Sequence, residues 1–254
     1  MIAAAPTHPI PGAASTHATL RGSAAHFFVA DVASPALDDA DLHHARTVLR
    51  LGADETVTVC DGAGAWRPCT MRRDGTLAPG GDVAHEPAPR WPLLVAFAPV
   101  KGERPEWTVQ KLVELGIDAI VPLAATARAV VRWDGERGGR HLERLRRVAR
   151  EAAMQSRRTR LPVVHDATPL ATLGTASGPL ASLGTAAGPL AIADPSGAPL
   201  DATHRAVAIG PEGGFTDDEM GDAPRVALAD GILRAETAAL AAATLMTHLR
   251  RTSP

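Results

Sequence analysis

An α/β fold with a mainly parallel sheet, preceded by a smaller β-rich domain, is what the sequence predicts, and three observations carry it. From residue 89 onward, short apolar runs alternate with stretches of helical period, the pattern of strands joined by helical crossovers. Before that, residues 26–88 offer β-like runs broken by Asp-Gly and other Gly-containing turns. Between the two, proline-rich HEPAPRWP marks a boundary.

Taken in order, residues 1–25 are rich in Ala, Pro, Thr and His without periodicity and read as a disordered tail. Order is expected to begin at HFFVADV. A short helical piece, DADLHHARTVLRLG, interrupts the β runs, and ETVTVCDGAGAWRPCTMRRDG reads as a hairpin about DGAG. A turn at residues 61–64 offsets Cys60 from Cys69 across the strands, so both read as reduced, with no metal site. The larger domain, residues 89–254, has strand candidates LLVAFAP, DAIVPL, LAIAD, AVAIG and RVALA. Its helix candidates are RPEWTVQKLVELG, GRHLERLRRVAREAAMQS, TDDEMG and ETAALAAATLMTHLRR. Within it, residues 169–188 form a near-perfect decapeptide repeat, PLATLGTASG then PLASLGTAAG. Two copies are too few for a solenoid, and the composition predicts a flexible insertion.

At 254 residues and 45% hydrophobic content, one or two domains are expected. No apolar run approaches the roughly 18 residues of a membrane span, and the first residues lack a basic start followed by an apolar core, so a soluble cytoplasmic protein is expected. The net charge of −2 hides an asymmetry: residues 128–160 hold eleven Arg against four acids, a local +7 that leaves −9 elsewhere. Such a patch suits a polyanionic partner. It equally suits a solvated face, because Lys101 and Lys111 are the only lysines beside 24 Arg.

AVAIGPEGGFTDDEM runs from an apolar strand through a glycine loop into a helix start, at the carboxyl end of a strand where α/β sheets collect ligands. Neither GxGxxG nor GxxxxGK followed by Ser or Thr is present, and Glu212 would repel an anion, which disfavours phosphate. Glycines let a backbone read a neutral or cationic ligand through its N–H and C=O groups. A purely structural turn is the alternative. The final helix, from about Glu236, is apolar nearly all round and rich in Ala, so it is expected to be buried and closely approached.

Taken together, IGPEGGFTDDEM and VALADGILRAETAALAAATLM resemble the small-subunit ribosomal RNA (uracil N3)-methyltransferases of the SPOUT superfamily. HHARTVLRLG, VCDGAG, KGERPEWTVQKLVELG, PLAATARAVV and REAAMQSRRTRLP extend the resemblance from about His26 through most of the chain. Departures stand at Ala25 and His26, where the family has Pro and Arg, at Ala229, where it has Gly, and at Gly231, where it has Arg.

The resemblance implies a trefoil-knotted, mainly parallel sheet behind a PUA-like β-barrel domain. It also implies S-adenosylmethionine as cofactor, ribosomal RNA of the small subunit as substrate, and a homodimer. The adenosyl group would lie among residues 194–197, 209–214 and 228–238, with Ile209, Gly210, Pro211, Glu212, Gly213, Gly214, Leu228, Ile232, Leu233, Thr237 and Ala238 in contact. Uracil N3 carries a proton and must lose it before methylation, so Arg234 is expected to stabilise the developing charge and Glu236 to orient the substrate or act as base. A charge complementing the helix dipole is the other reading of Glu236. Arg128, Gln155 and Arg158 match family positions facing RNA or a neighbouring subunit, and Arg46 and Arg50, with His43 and His44, would meet phosphates. A SPOUT ribose 2′-O-methyltransferase and a non-catalytic RNA-binding relative are the rival functions.

Overall fold

The computed structural model describes residues 13–253 apart from 102–103, 125, 130, 132, 134 and 184–187. They fall into a first unit, Met1–Pro87 with Arg157–Arg160, and a second, Ala88–Ser156 with Leu161–Pro254.

The first unit opens with α1 (Ala13–Gly22) and β1 (Ala25–Phe28). The expected disordered tail is therefore corrected over residues 13–25, and residues 1–12 lie outside the described residues. Leu20 gives the physical reason, being buried in a cluster with Cys60 and Trp66. Next, α2 (Asp39–His43) starts at Asp38, whose carboxylate accepts the Asp41 N–H at 2.7 Å, and it runs into a π-helical turn, His44–Val48. The strands β2 (Thr56–Cys60), β3 (Ala65–Met71), β4 (Leu77–Pro79) and β5 (Ala84–His85) complete a five-stranded sheet in which β1 runs parallel to β2 and the other pairs are antiparallel. The β2–β3 turn is held by Asp61, which accepts from the N–H groups of Ala63 and Ala65 at 2.7 and 3.1 Å. Cys60 lies opposite Trp66 and Cys69 opposite Val57, and both are buried free thiols.

The segment Arg157–Arg160 belongs to this unit, where a continuous second domain from residue 89 had been expected. Hydrogen bonds place it there. Gly64 donates to the Thr159 carbonyl at 3.1 Å, Arg157 donates to the Ser23 carbonyl at 2.9 Å, and the Thr159 hydroxyl donates to Glu86 at 2.7 Å.

His26 is buried in the same place. Its Nε2 donates to the Arg158 carbonyl at 3.1 Å, so Nδ1 is left to accept from the Thr58 hydroxyl at 2.8 Å. Burial lowers the pKa of the ring from 6.5 to about 4. The unfolded chain therefore binds the proton first, and stability is full above pH 6.5 and declines as the pH falls toward 4. The loss amounts to about 3 kcal/mol. Urea midpoints across this range should show the decline, and His26→Gln should flatten it. An unchanged slope in the variant would remove His26 as the cause.

The second unit contains β6 (Leu94–Phe97), α3 (Arg104–Glu114), β7 (Ala119–Pro122), α4 (Gly135–Gln155), β8 (Val163–Val164), α5 (Pro179–Ser182), β9 (Leu190–Pro199), β10 (Ala206–Ile209), α6 (Asp217–Met220), β11 (Arg225–Ala227) and α7 (Ala235–Thr252). Its six strands pair in the order β11-β9-β10-β6-β7-β8, every pair parallel. Strand periodicity places Leu94, Ala96, Ala119, Val121, Ala206 and Ala208 in one core cluster. Elsewhere on the sheet α7 contacts β6, β10 and α3, with Ala238, Ala239, Ala242 and Ala243 buried, small enough for close approach.

The decapeptide repeat is not a free insertion. Leu170, Leu173 and Leu180 are buried in the cluster with Leu94 and Ala208, and Leu183 packs against it. Both copies thus supply Leu at the same two positions, and their burial outweighs the flexible composition. Residues 184–187 of the second copy lie outside the described residues.

Gly197 fixes the β9–β11 edge, where a Cβ would lie 2.4 Å from Val226 N and the Arg225 carbonyl carbon. Only a residue without a side chain allows the strands to approach so closely. Among the described residues no helix is long and apolar enough to cross a membrane, and no cluster of His, Cys, Asp and Glu suits a metal.

Candidate functional site

At the carboxyl end of β10 the chain leaves Ile209 and passes through Gly210, Pro211, Glu212, Gly213 and Gly214 to Phe215. The Gly214 N–H closes a turn on the Pro211 carbonyl at 2.8 Å. Thr216 then starts α6 with a reciprocal cap: its hydroxyl accepts the Glu219 N–H at 3.3 Å while Glu219 accepts the Thr216 N–H at 2.9 Å. The spacing of Thr216 and Glu219 carries this cap in the sequence; what else Glu219 holds does not show there.

The loop forms one wall of a cavity of about 340 Å³. Ile209, Gly210, Pro211, Glu212, Gly213 and Gly214 line it, as do Leu228, Ile232, Leu233 and Ala238 from the far side. Ten of the residues expected at a cofactor are thus brought together. Thr237 is not among the lining residues and is exposed on α7. From the stretch 194–197, Asp194 and Pro195 line the cavity, whereas Gly197 faces β11. The Asp194 carboxyl is held below the usual range first by the hydroxyl of Ser196, which donates to it at 2.6 Å. Ala193, Phe215, Met220, Val226 and Ala235 also line the cavity and, as plain apolar residues, carry no chemical signal in the sequence; Ala229 and Gly231, two of the departures from the family pattern, line it too.

Arg128, expected to face RNA or a neighbouring subunit, is exposed and also meets the glycine loop. Its guanidinium donates to the carbonyls of Gly213 and Phe215, at 2.8 and 3.4 Å, and it lines the cavity. The neighbouring Ala127 N–H donates to Glu219 Oε1 at 2.7 Å. Burial pushes the Glu219 carboxyl up, but the bonds from Thr216 and Ala127 outweigh it, and the group titrates below the usual carboxylate range.

Arg234 is the exposed N-cap residue of α7, with Leu233 and Ala235 on either side lining the cavity. Glu236, in the first turn of the same helix, lies 3.6 Å from Arg104 and is largely buried, with 16% of its side chain exposed. The remaining expected RNA contacts are dispersed. Arg46 donates to the Asp74 carbonyl, Arg50 is exposed with φ +54, Arg158 is half-buried in the first unit, and Gln155 is exposed at the end of α4.

The geometry is that of a small-molecule cavity at the carboxyl ends of parallel strands, with the exposed Arg234 between two of its lining residues. A family model described as an RNA methyltransferase domain matches residues 86–247, and one described as an RNA methyltransferase PUA domain matches residues 37–74. Among similar proteins, ribosomal RNA small subunit methyltransferase E of Mycobacterium tuberculosis is 34% identical over 213 residues, covering 78% of this chain and 80% of that one. The protein of the same name from Bacillus subtilis is 28% identical over 236 residues, covering 83% and 90%. The crystal structure of a ribosomal RNA small subunit methyltransferase E from Neisseria gonorrhoeae bound to S-adenosyl methionine matches with a TM-score of 0.68 at 25% identity, over 89% of this chain and 97% of that one. With both domain models matched in order and a relative of this identity spanning most of its length, the chain belongs to the RNA methyltransferases that carry a PUA domain ahead of the methyltransferase domain.

Proposed function

We propose that this enzyme transfers a methyl group from S-adenosylmethionine to N3 of a uridine in small-subunit ribosomal RNA, working as a cytoplasmic homodimer. The observation that carries the cofactor reading is the cavity itself, walled on one side by the backbone of residues 209–214. Its size falls among small-molecule sites, roughly 300–1,000 Å³. A Cβ on Gly210 would meet the Phe215 ring at 3.2 Å, so glycine there lets the loop turn tightly over Phe215. Glu212 and Asp194 add negative charge on the walls, which suits a cationic sulfonium. Bound there, the cofactor supplies an electrophilic methyl group.

Arg234, between the lining residues Leu233 and Ala235, is the donor we assign to the uracil carbonyl oxygens, where negative charge gathers once N3 loses its proton. Glu236 we assign as an orienting group, since its side chain is held toward Arg104 at 3.6 Å in the first turn of α7. The buried alanines of α7 supply the slimness that a knotted chain requires there.

Nucleoside analysis of small-subunit ribosomal RNA from a strain lacking the gene, after incubation with enzyme and S-adenosylmethionine, tests the reading. We expect 3-methyluridine to form. A ribose 2′-O-methylated nucleoside, or no product, would overturn it.

RNA contact is assigned to Arg50 and Arg158, with Arg46 and Gln155 as further contacts. Arg50→Ala and Arg158→Ala should each lower the log–log salt slope of RNA binding by about 0.7 to 0.9. An unchanged slope in both would return these residues to solvated surface.

A further inference from the structure

We infer that Glu219 is a positioning residue of the cofactor site, acting through residues 126–128. Its two carboxylate oxygens serve different partners: Oε1 accepts the Ala127 N–H at 2.7 Å, and Oε2 accepts the Thr216 N–H at 2.9 Å. One side chain therefore joins the segment after β7 to the end of the glycine loop. Arg128 makes the return connection by donating to the Gly213 and Phe215 carbonyls. The two links enclose the glycine loop between them, and Arg128 becomes cavity wall. Gly210, Gly213 and Gly214 bring no side chains to fix the loop's shape, so its carbonyls and N–H groups are aimed from outside. The depressed titration of Glu219 accords with a carboxylate committed to two N–H donors.

The inference rests on the cofactor reading above, and the experiment separates the two. Glu219→Gln keeps size and shape but offers one acceptor oxygen in place of two; with that oxygen kept on the Thr216 N–H, as in a Thr-x-x-Gln capping box, the amide donor must face the Ala127 N–H. In the full-length protein, amide hydrogen exchange should quicken by about tenfold or more at Ala127 and at Gly213–Phe215, with α7 unchanged. S-adenosylmethionine, titrated by calorimetry, should bind about tenfold or more weakly. In turnover with RNA, the loss should appear in the KM for S-adenosylmethionine, with kcat at saturation close to wild type. Thr216→Ala is the control: it removes the hydroxyl half of the cap, lowers Tm, and leaves the Ala127 link and the affinity in place.

Wild-type exchange at Ala127, or wild-type affinity in Glu219→Gln, overturns the inference, as does an equal loss of affinity in Thr216→Ala. A wild-type protein that fails to bind S-adenosylmethionine overturns the cofactor reading and, with it, this role for Glu219. In that event faster exchange at Ala127 would show a link serving the fold alone.

Discussion

Gly213→Val is expected to eliminate detectable S-adenosylmethionine binding while leaving the protein folded. A Cβ at Gly213 would lie 3.1 Å from Arg128 Cβ and 3.3 Å from its Cδ, so the two valine methyls have to displace Arg128 or the loop. Either movement breaks the bond from the Arg128 guanidinium to the Gly213 carbonyl and narrows the cavity that both residues line. Overpacking of this kind costs about 1–3 kcal/mol, and with the loop geometry lost as well, affinity should fall by roughly 100-fold or more. Gly213 is exposed and lies outside the left-handed region, so the backbone accepts a side chain there. Gly214, with φ +69, does not, and Gly214→Val should lose stability along with affinity. Calorimetry with circular dichroism on Gly213→Val decides the matter: wild-type affinity in a folded variant removes the loop from the cofactor site.

The site was legible in the sequence wherever a local rule fixes the backbone. The apolar run ending at Ile209, the two-glycine turn and the cap at Thr216 announce strand, loop and helix start, and the strands β6, β7, β10 and β11 fall inside the runs that predict them. Long-range pairing was not legible. Nothing in the order of residues says that Ala127 donates to Glu219, 92 positions away, or that Arg157–Arg160 joins the first unit. The repeat misleads for a related reason: glycines and alanines dominate its composition, while its structure is set by Leu170, Leu173 and Leu180, whose burial depends on a sheet assembled from distant strands. α1 is missed likewise, because Leu20 finds Cys60 and Trp66 only after the first unit has folded.

Arg234→Ala should reduce turnover by about 10²- to 10³-fold, the usual loss when one charged donor to a developing anion is removed. The position supports so large an effect. Arg234 ends the loop that lines the cavity and caps α7 without a side-chain hydrogen bond to the helix, so its guanidinium is not consumed by capping. It is exposed, while Leu233 and Ala235 beside it line the cavity. Gly231 stands where the resemblance places a second Arg, so Arg234 is expected to carry a charge that the family pattern would divide between two guanidinium groups. Cofactor affinity should stay nearly unchanged, because Arg234 is not among the lining residues. Arg234→Lys should recover only part of the rate, since an ammonium lacks the planar fork that meets two acceptors at once. Single-turnover kinetics at saturating S-adenosylmethionine measure both variants. Near wild-type turnover in Arg234→Ala would move the charge-stabilising role to another residue, with Arg128, whose guanidinium already lies in the cavity wall, the first to test.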